Sequence, residues 1–190
     1  RAFDEATAIL AGDALLTLAF EVIAASALPP DRRGRLCLEL ARGAGWAGMV
    51  GGQAMDLQAE GRRVGLSALM AIHRRKTGAL LLASVRMGGI AAGASRGKMD
   101  ALTAYGRAVG LAFQIQDDIL DVTGNEKAMG KRLRKDAVAG KATYPGLLGL
   151  ERSRRRARVL VDEAVRALKP LGRKADPLAA LARYIVDRER

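Results

Sequence analysis

The sequence predicts an all-α protein built as a large antiparallel helical bundle. Ala, Leu, Gly and Arg are abundant, and Ala, Leu and Arg favour helices. Residues typical of strands are few, and aromatic residues make up only 4% of the chain. Apolar residues recur with helical spacing along most of the sequence. With 190 residues, 49% of them hydrophobic, the chain is large enough for one domain, residues 1–190, with a sizeable core.

Six helices follow from this spacing and from the residues that interrupt it. Pro29 and Pro30 end the first helix, because proline lacks a backbone donor and restricts the residue before it. Gly61 ends the second. The stretch 123–145 is rich in Gly, Lys and Asp without an apolar period, so we predict a loop there. The predicted helices are 4–26, 31–60, 67–92, 95–122, 146–168 and 177–190.

The formal net charge of +12 favours an anionic partner: nucleic acid, a membrane surface or a phosphorylated small molecule. A bias towards arginine in composition would explain the charge equally well. Few aromatic side chains are available for base stacking, which argues against nucleic acid. The single cysteine, Cys37, excludes an internal disulfide and fits a reducing cytoplasm. We find no uninterrupted run of about 18 apolar residues and expect no membrane partner.

Three carboxylates interrupt an apolar face of the fourth predicted helix. Asp117, Asp118 and Asp121 follow Gln114 at helical spacing, among apolar neighbours such as Phe113. Like charges at this spacing repel one another, and a divalent cation between them would remove the repulsion. Carboxylate oxygens suit Mg²⁺, which retains waters and bridges to phosphates. We therefore favour a metal site over a solvated acidic face.

The third predicted helix places a lysine on its apolar face. Lys76 shares that face with Leu69 and Ile72, and Thr77 and Gly78 follow it. An inward lysine either pairs with a buried carboxylate or holds a phosphate group. His73 is interpreted as an ordinary, partly buried histidine.

Two further segments contribute polar residues. Gln53 and Asp56 lie on one stripe of the second predicted helix, either as a structural polar pair in a helix interface or as substrate contacts. Lys131 and Lys141 lie in the basic, glycine-containing loop that follows the acidic helix. The loop is either solvated or a lid that closes over a phosphate.

Five segments together resemble the trans-isoprenyl diphosphate synthases, the polyprenyl synthetase family. The string from Phe113 to Asp121 resembles the second Asp-rich motif of that family. The other four segments occur in the family's order and spacing. The residues of these motifs most resemble those of bacterial farnesyl or geranylgeranyl diphosphate synthases. The four segments are 12–15, 51–57, 73–78 and 130–145.

The resemblance implies the isoprenoid synthase fold and a Mg²⁺-dependent reaction. Isopentenyl diphosphate condenses with an allylic diphosphate through ionisation, condensation and proton elimination. The short all-trans product would be farnesyl or geranylgeranyl diphosphate, and the expected assembly is a homodimer. The implied metal ligands are Asp117, Asp118 and Asp121. The implied diphosphate contacts are Lys76, Lys131 and Lys141, with Thr77 and Gln114 facing the carbocation and Gln53 and Asp56 lining the cavity.

Two parts of the family pattern do not occur in the 190 residues. The first Asp-rich motif and the N-terminal helices with the isopentenyl diphosphate site are absent, so ligands from that motif are not in this chain. We expect this polypeptide by itself to be inactive. The alternatives are a noncatalytic regulatory subunit of a heteromeric prenyl diphosphate synthase and a charge-driven nucleic-acid-binding helical domain.

Overall fold

The computed structural model describes residues 3–123 and 141–188, and within them all regular structure is helical. This confirms the all-α prediction. A π-helical turn, Arg74–Gly78, joins α4 to α5, and a 3-10 turn, Lys169–Ala175, precedes α9. The helices are α1 Glu5–Ala25, α2 Pro30–Ala44, α3 Met49–Ala59, α4 Leu66–His73, α5 Ala79–Ala91, α6 Arg96–Thr123, α7 Tyr144–Leu148, α8 Leu150–Ala167 and α9 Asp176–Asp187.

The prediction of one continuous helix over 31–60 is wrong, because the chain breaks between α2 and α3. Gly45 and Gly48 both leave the helical region, at ψ −158° and ψ −123°. A Cβ on Gly48 would lie 2.2 Å from the carbonyl oxygen of Gly43, so the chain turns back more tightly than any larger residue permits. The third predicted helix is also interrupted, here by the π-helical turn.

The predicted loop over 123–145 ends slightly early. Residues 141–143 are not helical, and α7 then begins at Tyr144. The hydroxyl oxygen of Thr143 accepts a hydrogen bond from the backbone N–H of Gly146 at 3.2 Å and so caps the helix. Gly149, at φ +82°, separates α7 from α8. The loop prediction for 124–140, including Lys131, lies outside the described residues.

Helix α6 is the central element of the main core. Its residues Tyr105, Ile115 and Ile119 are buried with Leu160 and Val161 of α8. The Tyr105 hydroxyl donates to the carbonyl oxygen of Leu178 at 2.8 Å, which ties α6 to α9. A second core cluster joins α1, α2 and α5 through Ile23, Leu36, Leu40 and Ile90.

Two glycines hold the π-helical turn between α3 and α6. A Cβ on Gly52 of α3 would lie 2.1 Å from the backbone nitrogen of Lys76. A Cβ on Gly110 of α6 would lie 2.8 Å from the Cα of Gly78. Since no side chain fits at either contact, the backbone of the turn approaches both helices directly.

Helix α1 exposes much of its apolar surface. Ile9, Leu10, Leu15 and Val22 are each more than half exposed. Among the described residues α1 is the one helix long and apolar enough to cross a membrane, judged by length and composition only. The core helix of a soluble protein passes the same test, so this is weak evidence. Asp13 and Glu21 interrupt the apolar residues of α1, and the expectation of no membrane partner stays a prediction.

Candidate functional site

The π-helical turn presents Lys76 to a carboxylate on the neighbouring α3. Lys76 Nζ lies 2.6 Å from Asp56 Oδ2, and about a third of the lysine side chain is exposed. The sequence offered an ion pair or a phosphate contact for this lysine. The structure shows the ion pair, and the exposed part of Lys76 leaves donors for a second anion.

Asp56 also binds the lysine that follows the undescribed segment. Lys141 Nζ lies 3.1 Å from Asp56 Oδ2 and 3.1 Å from Glu60 Oε1. Burial alone would raise the pKa of Asp56, but hydrogen bonds from Lys76 and Lys141 outweigh it and lower the pKa. Burial alone would lower the pKa of Lys141, and the two carboxylates raise it instead. Lys141, which the sequence placed in the basic loop, is thereby attached to α3.

This bridge predicts an acid-dependent contribution to stability. A carboxyl group whose pKa is lowered by folding stabilises the protein above its unfolded pKa, and the contribution is lost as the pH falls through the folded pKa. Asp56→Asn should cost about 2 kcal/mol at pH 7, the scale of hydrogen bonds to charged groups. The difference from wild type should narrow as the pH falls below the ordinary value of 3.8.

Thermal unfolding of both proteins at pH 7 and pH 3 measures this effect. Asp100→Asn is the matched control, because Asp100 is an exposed acid on α6. A stability difference that stays constant between the two pH values would contradict the assignment of the bridge to Asp56.

Thr77 and Gln114 form the second contact between the π-helical turn and its surroundings. The Thr77 hydroxyl donates to Gln114 Oε1 of α6 at 2.7 Å, and both side chains are partly buried. The hydrogen bond fixes two oxygen atoms side by side, next to the lysine that precedes Thr77. The structure therefore brings together two residues that the sequence placed on separate helices.

His73, on α4, is a buried histidine whose pKa is influenced by charged residues of the site. It is buried, and burial lowers its pKa to about 4, so the imidazole is neutral at pH 7. Asp56, Lys76 and Asp117 are all close enough to influence that pKa electrostatically. We call these four residues the His73 cluster. Charges from α3, the π-helical turn and α6 therefore all influence one histidine, which the sequence indicated only as a buried residue.

The three carboxylates of α6 differ in their surroundings. Asp118 is buried and accepts a hydrogen bond from the backbone N–H of Tyr144 at 2.9 Å. It also lies 3.8 Å from His73 Nε2, a contact to a neutral imidazole and not an ion pair at pH 7. Asp117 and Asp121, four residues apart, share a face of the helix. Asp118 therefore has a structural role that competes with the predicted metal ligation.

Within residues 3–123 and 141–188, no group of three or more His, Cys, Asp and Glu side chains is arranged to hold a metal ion. Mg²⁺ does not require such a group, because it is commonly bound by one or two carboxylates, with waters and substrate phosphates as the other ligands. Asp117, about a third exposed, and Asp121 supply oxygen donors of that kind. The donor set fits Mg²⁺ in chemistry, and the three-aspartate ligand set stays a prediction.

Sequence reasoning missed Arg188, which follows α9. Its guanidinium lies 3.1 Å from Asp117 Oδ1 and 4.4 Å above the centre of the Phe113 ring. Its side chain is only 13% exposed. No local sequence pattern could have indicated this ion pair, because 71 residues separate Arg188 from Asp117. A cation therefore already lies against the carboxylate that the sequence singled out as a metal ligand.

For two predicted substrate contacts the structure shows no partner at this site among the residues that it describes. Gln53 is on α3, exposed, and makes no side-chain hydrogen bond to the residues that the structure describes. Lys131 lies outside the described residues. Both stay predictions.

Comparisons with known proteins give a family and a fold. The model of a family described as polyprenyl synthetase matches residues 1–176. The farnesyl diphosphate synthase of Escherichia coli (strain K12) is 50% identical over 99% of this chain and 65% of its own length. The dimethylallyltranstransferase of Fischerella ambigua is 46% identical over 99% of this chain and 55% of its own length.

Two solved structures share the fold. An FPP/GFPP synthase from Zymomonas mobilis has a TM-score of 0.84 and 42% identity, over 97% of this chain and 62% of that one. A geranyltransferase from Helicobacter pylori, complexed with magnesium and isoprenyl diphosphate, has a TM-score of 0.81 and 36% identity, over 97% and 60%. The chain thus spans between about half and two-thirds of the length of these relatives.

Proposed function

The chain belongs to the polyprenyl synthetase family, and from that premise we propose that the protein carrying it is a Mg²⁺-dependent trans-prenyltransferase. It would condense isopentenyl diphosphate with an allylic diphosphate to a short all-trans product, farnesyl or geranylgeranyl diphosphate. The observation that carries the proposal is the π-helical turn, which places Lys76 2.6 Å from Asp56 of α3 and Thr77 2.7 Å from Gln114 of α6. A homodimer and a cytoplasmic location stay predictions, and some plant relatives are named as chloroplastic proteins.

The lysines would bind the diphosphate of the allylic substrate. Lys76 and Lys141 share one oxygen of Asp56, so each ammonium retains donors that do not point at that atom. Positive charge beside the leaving diphosphate stabilises the charge that develops as the C–O bond breaks. Asp56 positions the two amines, and Lys131 is proposed as a further contact on the resemblance alone.

Thr77 and Gln114 would act on the hydrocarbon end. Their hydrogen bond holds two oxygen dipoles next to Lys76, where an allylic cation forms once the diphosphate leaves. Oxygen lone pairs stabilise that cation without a covalent bond. The partly buried location limits the access of water that would otherwise capture the cation.

Asp117 and Asp121, with Asp118 on the predicted ligand list, would hold Mg²⁺. When bound, the metal supplies Lewis-acid charge to the diphosphate oxygens. The part of the chain that the structure describes contributes the carboxylates and sets their spacing along α6. Arg188 would have to share Asp117 or leave it, since its guanidinium lies 3.1 Å away.

A binding experiment tests the proposal. A bisphosphonate, a stable diphosphate analogue, should bind the full protein that carries this sequence at least tenfold more tightly with Mg²⁺ than without it. Asp117→Asn should remove most of that difference, because it lowers the charge of the ligand set. Isothermal titration calorimetry with and without Mg²⁺ gives both affinities.

Asp100→Asn is the control on the same helix and should behave as wild type. Equal bisphosphonate affinity with and without Mg²⁺ in the wild-type protein would contradict the metal role of these carboxylates. Turnover of isopentenyl and allylic diphosphates to a prenyl product would then be needed to sustain any transferase proposal.

A further inference from the structure

A cavity adjoins the π-helical turn, and its lining includes no residue of the His73 cluster. Its volume is about 590 Å³, within the range of about 300–1,000 Å³ that small-molecule sites occupy. The turn, α5, α6 and α8 form its walls. Lys76 and Thr77 bond to Asp56 and Gln114 and do not line the cavity, whereas Arg74 and Arg75 of the same turn do line it.

The charged lining of the cavity is strongly positive. Among the described residues it consists of four arginines, Arg74, Arg75, Arg107 and Arg156, and one acid, Glu163. Arg156 lies 3.8 Å from Glu163, and about 40% of each side chain is exposed. A pair so long and so exposed contributes little, so the glutamate does not neutralise the group.

The arginines also lack strong acceptors. Arg75 donates to the sulfur of Met55 at 3.2 Å, and a thioether is only a weak acceptor. Within the described parts of the chain, neither Arg74 nor Arg107 makes an ion pair. Four guanidinium groups that line one cavity with a single acid are suited to a phosphate, which accepts several of their donors at once.

The accessible apolar lining of the cavity comes from Ala79, Leu82 and Ala104. Leu111 and Leu160 also line it but are almost fully buried, so they offer little surface to a ligand. An inorganic ion would leave this surface in contact with water. A ligand with a hydrocarbon chain would cover it, at about 25 cal/mol for each Å² of apolar surface buried.

We propose that this arginine cavity binds an amphipathic phosphate: a soluble phosphate ester with an apolar chain, its phosphate at the arginines and its chain against Ala79, Leu82 and Ala104. The site is separate from the His73 cluster and does not depend on the metal proposed there. The alternative, a solvated basic surface, predicts weak binding of any anion, without a contribution from the chain.

Decyl phosphate tests the proposal, with inorganic phosphate and 1-decanol as matched probes of its two halves. Titrations use the full protein that carries this sequence, without Mg²⁺ and below the concentration at which micelles form. Decyl phosphate should bind at least tenfold more tightly than either half. The double variant Arg107→Gln with Arg156→Gln should weaken that binding at least tenfold.

Two further variants separate charge from shape. Ala104→Leu adds a side chain at an exposed helical position on the cavity wall, so it should block decyl phosphate without changing the net charge. Arg158→Gln removes an exposed arginine of α8 that does not line the cavity, and it should leave binding unchanged. Equal loss in Arg158→Gln and in the double variant would overturn the proposal.

The proposed transferase site is tested separately by Lys76→Gln with Asp117→Asn. These substitutions should abolish Mg²⁺-dependent bisphosphonate binding and preserve decyl phosphate binding. If they abolish decyl phosphate binding while the cavity variants keep it, the ligand occupies the His73 cluster and the proposal of a second site is wrong. Binding to phosphatidate vesicles without binding to soluble decyl phosphate would also contradict it.

Discussion

Gly52→Ala is expected to destabilise the protein by about 3 kcal/mol and to displace Lys76 and Thr77 from their partners. The added Cβ would lie 2.1 Å from the backbone nitrogen of Lys76 and 2.6 Å from its Cα. Backbone atoms cannot move aside as the end of a flexible side chain does. Either α3 or the π-helical turn must therefore shift, and Gly110 prevents the turn from moving freely towards α6.

Thermal unfolding measures the effect of Gly52→Ala, with an expected drop in Tm of about 6–12 °C for a chain of about this size. The matched control is Gly34→Ala in α2, where a Cβ would meet nothing within 4 Å. That substitution should be neutral or stabilise the protein by up to about 1 kcal/mol, because alanine is the better helix former. A Gly52→Ala protein with wild-type Tm and bisphosphonate affinity would show that the close contact does not position the turn.

Asp118→Ala is expected to cost about 3 kcal/mol, whether or not Mg²⁺ is present. The buried carboxylate accepts the backbone N–H of Tyr144 at 2.9 Å and lies 3.8 Å from His73. Its removal leaves a buried donor without that acceptor. The loss should loosen the attachment of α7 to α6, and with it the segment that carries Lys141.

Denaturant unfolding of Asp118→Ala with and without Mg²⁺ distinguishes a tether from a metal ligand. Asp118→Asn retains an oxygen acceptor for Tyr144 and should cost only about 1 kcal/mol. Asp100→Ala, at an exposed position of the same helix, should change little. A destabilisation seen only when Mg²⁺ is present would contradict this prediction, because it would show that Asp118 acts mainly as a metal ligand and not through its hydrogen bond to Tyr144.

Much of the candidate site was predictable from interruptions of apolar faces. Asp56, Lys76 and Gln114 each stood out because a polar residue on a buried stripe needs a partner. The identity of the partners was not predictable. Lys76 could pair with any buried acid, and the choice of Asp56 depends on how closely α3 packs against the turn through Gly52.

The break between α2 and α3 and the π-helical turn were missed for a related reason. Apolar periodicity continues through the π-helical turn and gives no local sign of it. The glycines at 43, 45 and 48 were a local signal of the break between α2 and α3 that the periodicity concealed. The contact of Gly52 with the turn and that of Gly110 with Gly78 are set by tertiary packing, which a local pattern does not record.

The sequence by itself determined the helical class, the order of most helices and the residue types of the proposed phosphate and metal site. These depend on local periodicity and on the cost of burying charge, both of which can be evaluated along one chain. Only the tertiary structure decided which polar groups contact one another. Asp118 accepts the backbone N–H of Tyr144, Asp117 pairs with Arg188, and four arginines line one cavity. Those contacts join residues far apart in the chain, so their geometry is fixed by helix packing and not by spacing.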